Sequence, residues 1–281
     1  MEWKRKPGTW QMTEHTKKGV CYVSFPLLDA ERGFVHGFST RIGGVSEGDL
    51  SSMNLSFTRG DDPERVRENY RRIAAAVGFE TDRLVLTHQT HTNHVRVVTE
   101  ADAGKGFVRE RDYTDVDGLV TDVPQLVLTT FYADCVPLFF SDPENKAVGL
   151  SHSGWRGTVG KIGKVTVEKM AEEFGTDPSQ LYAAIGPSIC QECYEVSEDV
   201  IEQFKEAFDE KYWDVLFYGK PDGKYQLNLW EANRRILLDA GIKEERISMP
   251  GICTCCNPLF LYSHRASHGK RGNLGAFITF R

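Results

Sequence analysis

Residues 126–157 read LVLTTFYADCVPLFFSDPENKAVGLSHSGWRG, and the spacing of the apolar runs in this stretch decides the fold. Three runs of strand length, at 126–132, 136–140 and 147–150, are separated by short polar breaks. They are almost continuously apolar rather than alternating, which predicts strands covered on both faces. Similar runs stand at 84–86, 181–185 and 276–280. Four punctuated helices lie among these strands. Asp62, Pro63 and Gly78 bound the first, and Val66, Tyr70, Ile73 and Val77 form its apolar stripe. The second is expected from about 158 to 174, with Gly175 as stop. The third starts at Ser197 and carries Val200, Ile201, Phe204 and Phe208. The fourth starts at Asn228, with Glu231 placed for a capping box and Gly241 at its end. Strands interspersed with helices predict an α/β (α+β) layered sandwich of mixed sheets covered by helices. The pattern leaves the strand order open.

No repeat, low-complexity segment or Pro/Gly/Ser-rich linker divides the chain. The expected organisation is one domain over 31–281, preceded by an N-terminal extension and first strand at 1–30. With 281 residues, 40% of them hydrophobic, the chain can bury a large core. A formal net charge of -6 and no basic block exclude an electrostatic footprint for nucleic acid or an anionic membrane. Residues 1–18 lack the apolar centre of a secretory leader, and no run approaches the roughly 20 apolar residues of a membrane helix. The reading is a cytoplasmic protein, a monomer or weak homo-oligomer, whose seven cysteines are thiols or metal ligands rather than disulfides.

Three segments place reactive residues where apolar strands break off. They are Thr87-His88-Gln89-Thr90-His91-Thr92-Asn93-His94, Ala133-Asp134-Cys135 and Ser151-His152-Ser153-Gly154-Trp155-Arg156-Gly157. A buried imidazole, carboxylate or thiolate is costly without a partner. Imidazole and thiolate are preferred zinc ligands, and two histidines with one cysteine leave a tetrahedral position open, as catalytic sites do. The plainer reading is a core Cys135 with ordinary hydrogen-bonded histidines. If the first segment is extended, His88 and His94 face one side and His91 the other, so only a subset can reach one ion. Periodicity does not select the subset.

Further blocks carry a specific resemblance. His36-Gly37-Phe38-Ser39-Thr40-Arg41-Ile42-Gly43-Gly44-Val45-Ser46 is followed in order by Asn54-Leu55, Gly60-Asp61-Asp62, Gln89-Thr90-His91 and Asp117-Gly118-Leu119-Val120-Thr121. Ala133-Asp134-Cys135-Val136-Pro137-Leu138, His152-Ser153-Gly154-Trp155-Arg156-Gly157-Thr158, Gly186-Pro187-Ser188-Ile189, Tyr194-Glu195-Val196 and Tyr262-Ser263-His264-Arg265 complete the series. The ordered set resembles the laccase-domain family, also called polyphenol oxidases or purine nucleoside phosphorylases, over nearly the whole chain beyond residue 30.

The resemblance implies one compact sandwich with zinc on His91, Cys135 and His152. It also implies phosphorolysis of adenosine, inosine, guanosine and methylthioadenosine, with adenosine deamination in the same pocket. Its partners are then purine nucleosides and phosphate. Asp134 is a candidate acid/base residue, or a residue that orients a ligand or the backbone. Arg41, Arg59 and Arg156 are candidate phosphate ligands, Arg156 foremost because it is four residues from His152. Ser39 and Thr40 offer hydroxyls to phosphate or ribose, and Trp155 offers a face to a purine or packs in the core. The family's usual Arg-Asp-Gly after Ser-x-Arg is replaced by Ala266-Ser267-His268-Gly269-Lys270-Arg271-Gly272.

Three other readings remain. A copper-dependent polyphenol oxidase would use the same ligand set, but eight histidines lack the His-x-His pairs of a multicopper cluster. A cysteine-type hydrolase would use Cys135 as nucleophile with His152 as base. A cell-wall precursor binding or editing factor would bind a nucleotide-linked precursor without acting on nucleosides. Cys190 and Cys193 with Cys253, Cys255 and Cys256 supply the inventory of a four-thiolate zinc site. Cys255 crowds the second group and the resemblance supports no such site, so these five are expected to be free thiols.

Overall fold

The computed structural model describes residues 2–6, 12–29 and 33–281, so the expected boundary between 30 and 31 lies outside the described residues. The strands are β1 (Thr13–Lys17), β2 (Val20–Ser24), β3 (Phe34–Ser39), β4 (Leu84–Leu86), β5 (Val95–Val97), β6 (Gly118–Thr121), β7 (Val127–Tyr132) and β8 (Val136–Asp142). They continue as β9 (Ala147–Ser153), β10 (Tyr182–Ile185), β11 (Glu195–Val196), β12 (Phe217–Gly219), β13 (Tyr225–Leu227), β14 (Ile247–Ser248) and β15 (Leu274–Phe280). The helices are α1 (Pro26–Asp29), α2 (Pro63–Val77), α3 (Trp155–Val159), α4 (Ile162–Phe174), α5 (Glu198–Ala207), α6 (Trp213–Leu216) and α7 (Leu229–Asp239).

Two six-stranded mixed sheets form the body, in the orders β1-β2-β3-β15-β7-β4 and β14-β10-β8-β9-β6-β5. A three-stranded sheet, β11-β13-β12, stands apart from both. The continuous apolar runs now have a physical reason. Along β8, Leu138 and Phe140 face the helical layer of α4, α5 and α7, while Phe139 faces the other sheet. In β15, Ala276 and Ile278 enter the intersheet core and Phe277 turns to α2. Successive side chains alternate faces, and both faces of each sheet are covered. The layers run α2, first sheet, second sheet, then α4 with α5 and α7: the expected α/β sandwich.

Helix ends follow their local chemistry. Asp62 accepts from Glu64 N at 2.9 Å, and Gly78 closes α2 with φ 101°. Asn228 accepts from Glu231 N at 3.1 Å. Glu231 turns to Arg234 and Arg235 instead of back to the cap, so only half of the expected capping box forms. The helix expected over 158–174 is corrected. It starts earlier and is broken into α3 and α4 at Lys161, whose φ is 54°. Asn93 Nδ2 donates to Gly160 O at 2.9 Å, so the loop carrying the histidines docks onto the break.

Candidate active site

The site lies where the chain crosses between the sheets. β7 belongs to the first sheet and β8 to the second, and Ala133-Asp134-Cys135 joins them. Asp134 has φ 93°, a left-handed turn that sets Cys135 at the start of β8. β8 and β9 form an antiparallel hairpin in which Pro137 pairs with His152 and Val136 with Ser153. Cys135 and His152 are thereby placed at the same end. Gly118 of β6 pairs with Ser151, so Asp117 lies beside His152 and its carbonyl accepts from His152 N at 2.8 Å.

The second crossing brings His91. Residues 87–94 leave β4 in the first sheet for β5 in the second. The segment is not extended: His91 has φ 67°, a tight turn. The N–H groups of Thr90, His91 and Thr92 all donate to the Asp117 carboxylate, at 2.9, 3.1 and 3.0 Å. Gln89 replaces a strand, donating to Phe131 O at 2.9 Å and accepting from Phe131 N at 2.7 Å. His88 and His94 lie to either side, tied to the backbone of Asp115.

One donor atom each from His91, Cys135 and His152 lie within 4.8 Å of one another. Asp117 Oδ1 sits 2.8 Å from His152 Nδ1, which fixes the proton there and frees Nε2 for the cluster. Burial opposes charge on these groups, but their mutual attraction outweighs it. The Cys135 thiol is pulled down to about 6 by His152 and His91, and His152 is raised to about 9 by Cys135 and Asp117. Asp117 is held at about 2 by His152 and the backbone N–H groups, against its burial. Gly154 closes one side: a Cβ there would meet His91 Cδ2 at 2.9 Å and Cys135 Sγ at 3.1 Å. Gly154→Ala is therefore expected to spread the donors and lower metal affinity by about 10-fold or more, as displaced ligand supports do. Competition with a chelator against the parent protein measures it, and equal affinity would refute the packing argument.

The three donors line a cavity of about 720 Å³. Asp134, Arg59 and Arg156 line it too. Both Asp134 oxygens are engaged, accepting from Thr254 Oγ1 at 2.6 Å and Arg265 N at 2.7 Å. Arg156 lies over the Trp155 ring, 4.2 Å from its centroid. Ser39, Thr40 and Arg41 are elsewhere, because neighbouring strands and loops use their polar atoms. Ser39 Oγ accepts from Gly275 N in β15, and Thr40 Oγ1 donates to Cys21 O. Arg41 bonds the carbonyls of Ser51 and Pro258 and stacks on Tyr262.

Two residues escaped the sequence reading. Asp117 had a usable signal, a carboxylate directly before a buried apolar strand, which demands partners. Arg271 lines the cavity beside Arg59, and burial together with that like charge lowers it to about 10. Its Nε is buried without a hydrogen bond. The substitution of the usual Arg-Asp-Gly segment had masked it.

The family model described as multi-copper polyphenol oxidoreductase laccase matches residues 35–281. The chain belongs to this laccase-like family. It is 39% identical over 251 residues to the purine nucleoside phosphorylase YlmD of Bacillus subtilis, covering 88% of each chain. It is 36% identical over 233 residues to an adenosine deaminase, RL5, from an unknown prokaryote, covering 82% of this chain and 88% of that one. The crystal structure of YfiH from Bacillus licheniformis superimposes with a TM-score of 0.89 at 31% identity, covering 95% of this chain and 99% of that one. The relatives named purine nucleoside phosphorylase and adenosine deaminase support an enzyme of this kind. No helix among the described residues is long and apolar enough to cross a membrane.

Proposed function

We propose that the chain is a zinc-dependent purine nucleoside phosphorylase that also deaminates adenosine. One observation carries the reading: a three-donor cluster opens into a nucleoside-sized cavity that also holds paired arginines. The donor set fits zinc, with two imidazoles and a thiolate, a carboxylate behind one imidazole, and a glycine where a Cβ would intrude. His91, Cys135 and His152 would hold the ion. Bound there, zinc supplies Lewis acidity to the cavity.

The remaining roles belong to the protein. Arg59 and Arg271 repel each other until an anion arrives, so phosphate binding relieves a cost already present in the fold. Phosphate oxygen then attacks the ribose C1′ while the bond to purine N9 breaks and the base leaves with that electron pair. In deamination, water adds at C6 of adenine and ammonia leaves. Asp134 positions Cys135 and the Arg265 loop, since both its oxygens are committed. Arg156, lying on Trp155, presents a flat cation to the base. Substrates are adenosine, inosine, guanosine and methylthioadenosine, and the site of action is the cytoplasm.

Product identification with and without phosphate tests the reading. Hypoxanthine and ribose 1-phosphate are expected from inosine only with phosphate, and inosine from adenosine in either buffer. Nucleoside left intact by zinc-replete protein would overturn it and favour a binding role. Arg271→Ala should lower kcat/KM for phosphate by about 10- to 100-fold, the worth of a charge-assisted hydrogen bond, while sparing deamination. Equal losses in both reactions would refute the phosphate assignment.

A second reading rests on the alignment of Cys135, His152 and Asp117, which matches a nucleophile, base and carboxylate. The second imidazole favours metal, because His91 Nε2 lies 4.0 Å from the same sulfur and a nucleophile needs only one base. Iodoacetamide labelling of Cys135 that added zinc does not slow would reverse this preference.

A further inference from the structure

The cysteines expected to be free thiols are not scattered. Cys190, Cys193, Cys253 and Cys256 each offer a sulfur, and these sulfurs lie within 4.8 Å of one another. Cys255 is not part of the group. We propose that these four residues bind a second, structural zinc ion, distinct from the His91 cluster and independent of the nucleoside chemistry.

Several observations point to a built site. Both pairs have the Cys-x-x-Cys spacing of zinc-binding turns. The sheet brings them together: β10 and β14 are parallel neighbours, and each pair follows one of them at the same end. Ser188 and Cys253 extend that pairing as a parallel bridge, and Thr254 N donates to Ser188 O at 3.1 Å. With zinc–sulfur bonds of about 2.3 Å, a tetrahedron spaces its sulfurs by about 3.8 Å. The Cys193–Cys256 and Cys190–Cys256 separations are 3.5 and 4.0 Å, already close to that spacing. A disulfide needs sulfurs about 2.05 Å apart, and none of these four cysteines forms one.

The backbone is arranged to receive negative sulfur. Cys190 N and Cys256 N both donate to Cys253 Sγ, at 3.2 and 3.4 Å. Cys253 is fully buried, so charge on it needs a cation nearby. Four thiolates around a divalent ion leave a net negative charge, and the Lys6 ammonium stands beside Cys190 while pairing with Glu192 at 2.6 Å. Four protein sulfurs leave no open position on a tetrahedral ion, as in structural zinc sites, and none of the four cysteines lines the large cavity.

The position also explains what such a site would do. Thr254, between the ligands of the second pair, donates to Asp134. Arg265, whose N–H holds the other Asp134 oxygen, donates from its guanidinium to Cys193 O at 3.2 Å. The zinc loops thus fix the two groups that hold the turn preceding Cys135.

Elemental analysis of the wild-type protein, purified without chelator, tests the proposal. Two zinc equivalents per chain are expected, with one lost in the Cys193→Ser/Cys256→Ser double variant and a different one lost in His91→Ala. The His91→Ala protein should keep its remaining zinc and give the charge-transfer band of four thiolates when cobalt replaces it. This readout stands whether or not nucleosides are turned over, and it requires no folded cysteine variant. Zinc retained by wild type but absent from His91→Ala would overturn the proposal. So would a mass deficit showing a disulfide among the four, or reaction of all seven native thiols with no zinc released.

Discussion

Cys135→Ala is expected to empty the His91 site and reduce turnover of nucleosides by roughly 10³-fold, the worth of several kcal/mol of Lewis-acid stabilisation. Two imidazoles hold zinc poorly, and the fourth position is already open to the cavity. The fold should survive, because Cys135 is half-buried at a strand end and its loss costs about 1 kcal/mol. Zinc analysis, a melting curve and product chromatography on one preparation separate the effects. A variant with full zinc stoichiometry and parental kcat would refute the ligand assignment. With the second zinc in place, the expected content falls by one equivalent rather than to none.

Asp117→Ala is expected to be the most damaging single substitution for the fold. Its carboxylate is fully buried and accepts from Thr90 N, His91 N, Thr92 N and Thr92 Oγ1, besides pairing with His152. Alanine leaves these donors facing an empty volume. Breaking one buried pair costs about 3–5 kcal/mol, and the stranded backbone donors add to it. Denaturant unfolding measures the loss, and a change below about 1 kcal/mol would refute the reading. Asp117→Asn keeps the shape but sets an amide donor against backbone donors, and should lower metal affinity by about 10- to 100-fold. The pH dependence has a defined sign. Asp117 is held at about 2 against an ordinary 3.8, so its contribution, about 2 kcal/mol, is present above pH 3.8. It fades as pH falls through 2, and the stability gap between the parent and the Asn variant should narrow over that window.

The layers were legible because both faces of β7, β8, β9 and β15 are buried, which writes continuous apolarity into their sequences. Three of the shorter strands were not: β5, β11 and β14 owe their extended form to the neighbours they pair with. The break between α3 and α4 does not show in the apolar pattern, and Asn93, which docks on it, lies far away in sequence. The grouping of His91, Cys135 and His152 became legible through ordered blocks rather than spacing, since the turn at His91 depends on a carboxylate 26 residues on. The four-cysteine group was named from its inventory but set aside in favour of free thiols, because only the parallel pairing of β10 with β14 brings its two halves together.

His91 and Cys135 sit on stretches where the backbone steps between the sheets, and His152 lies near the end of β9, opposite Pro137 of β8. An ion bound there would act as a rivet on the crossing loop. Cys135 and His152 stand on paired strands of the second sheet, and an ion would tie to them the Thr87–His94 loop that arrives from the first, so it should hold that crossing loop in place as well as assist chemistry. Amide exchange in β4 and β5, the edge strands that the Thr87–His94 loop connects, should then slow when zinc is added. The protein would be stiffest where it reacts.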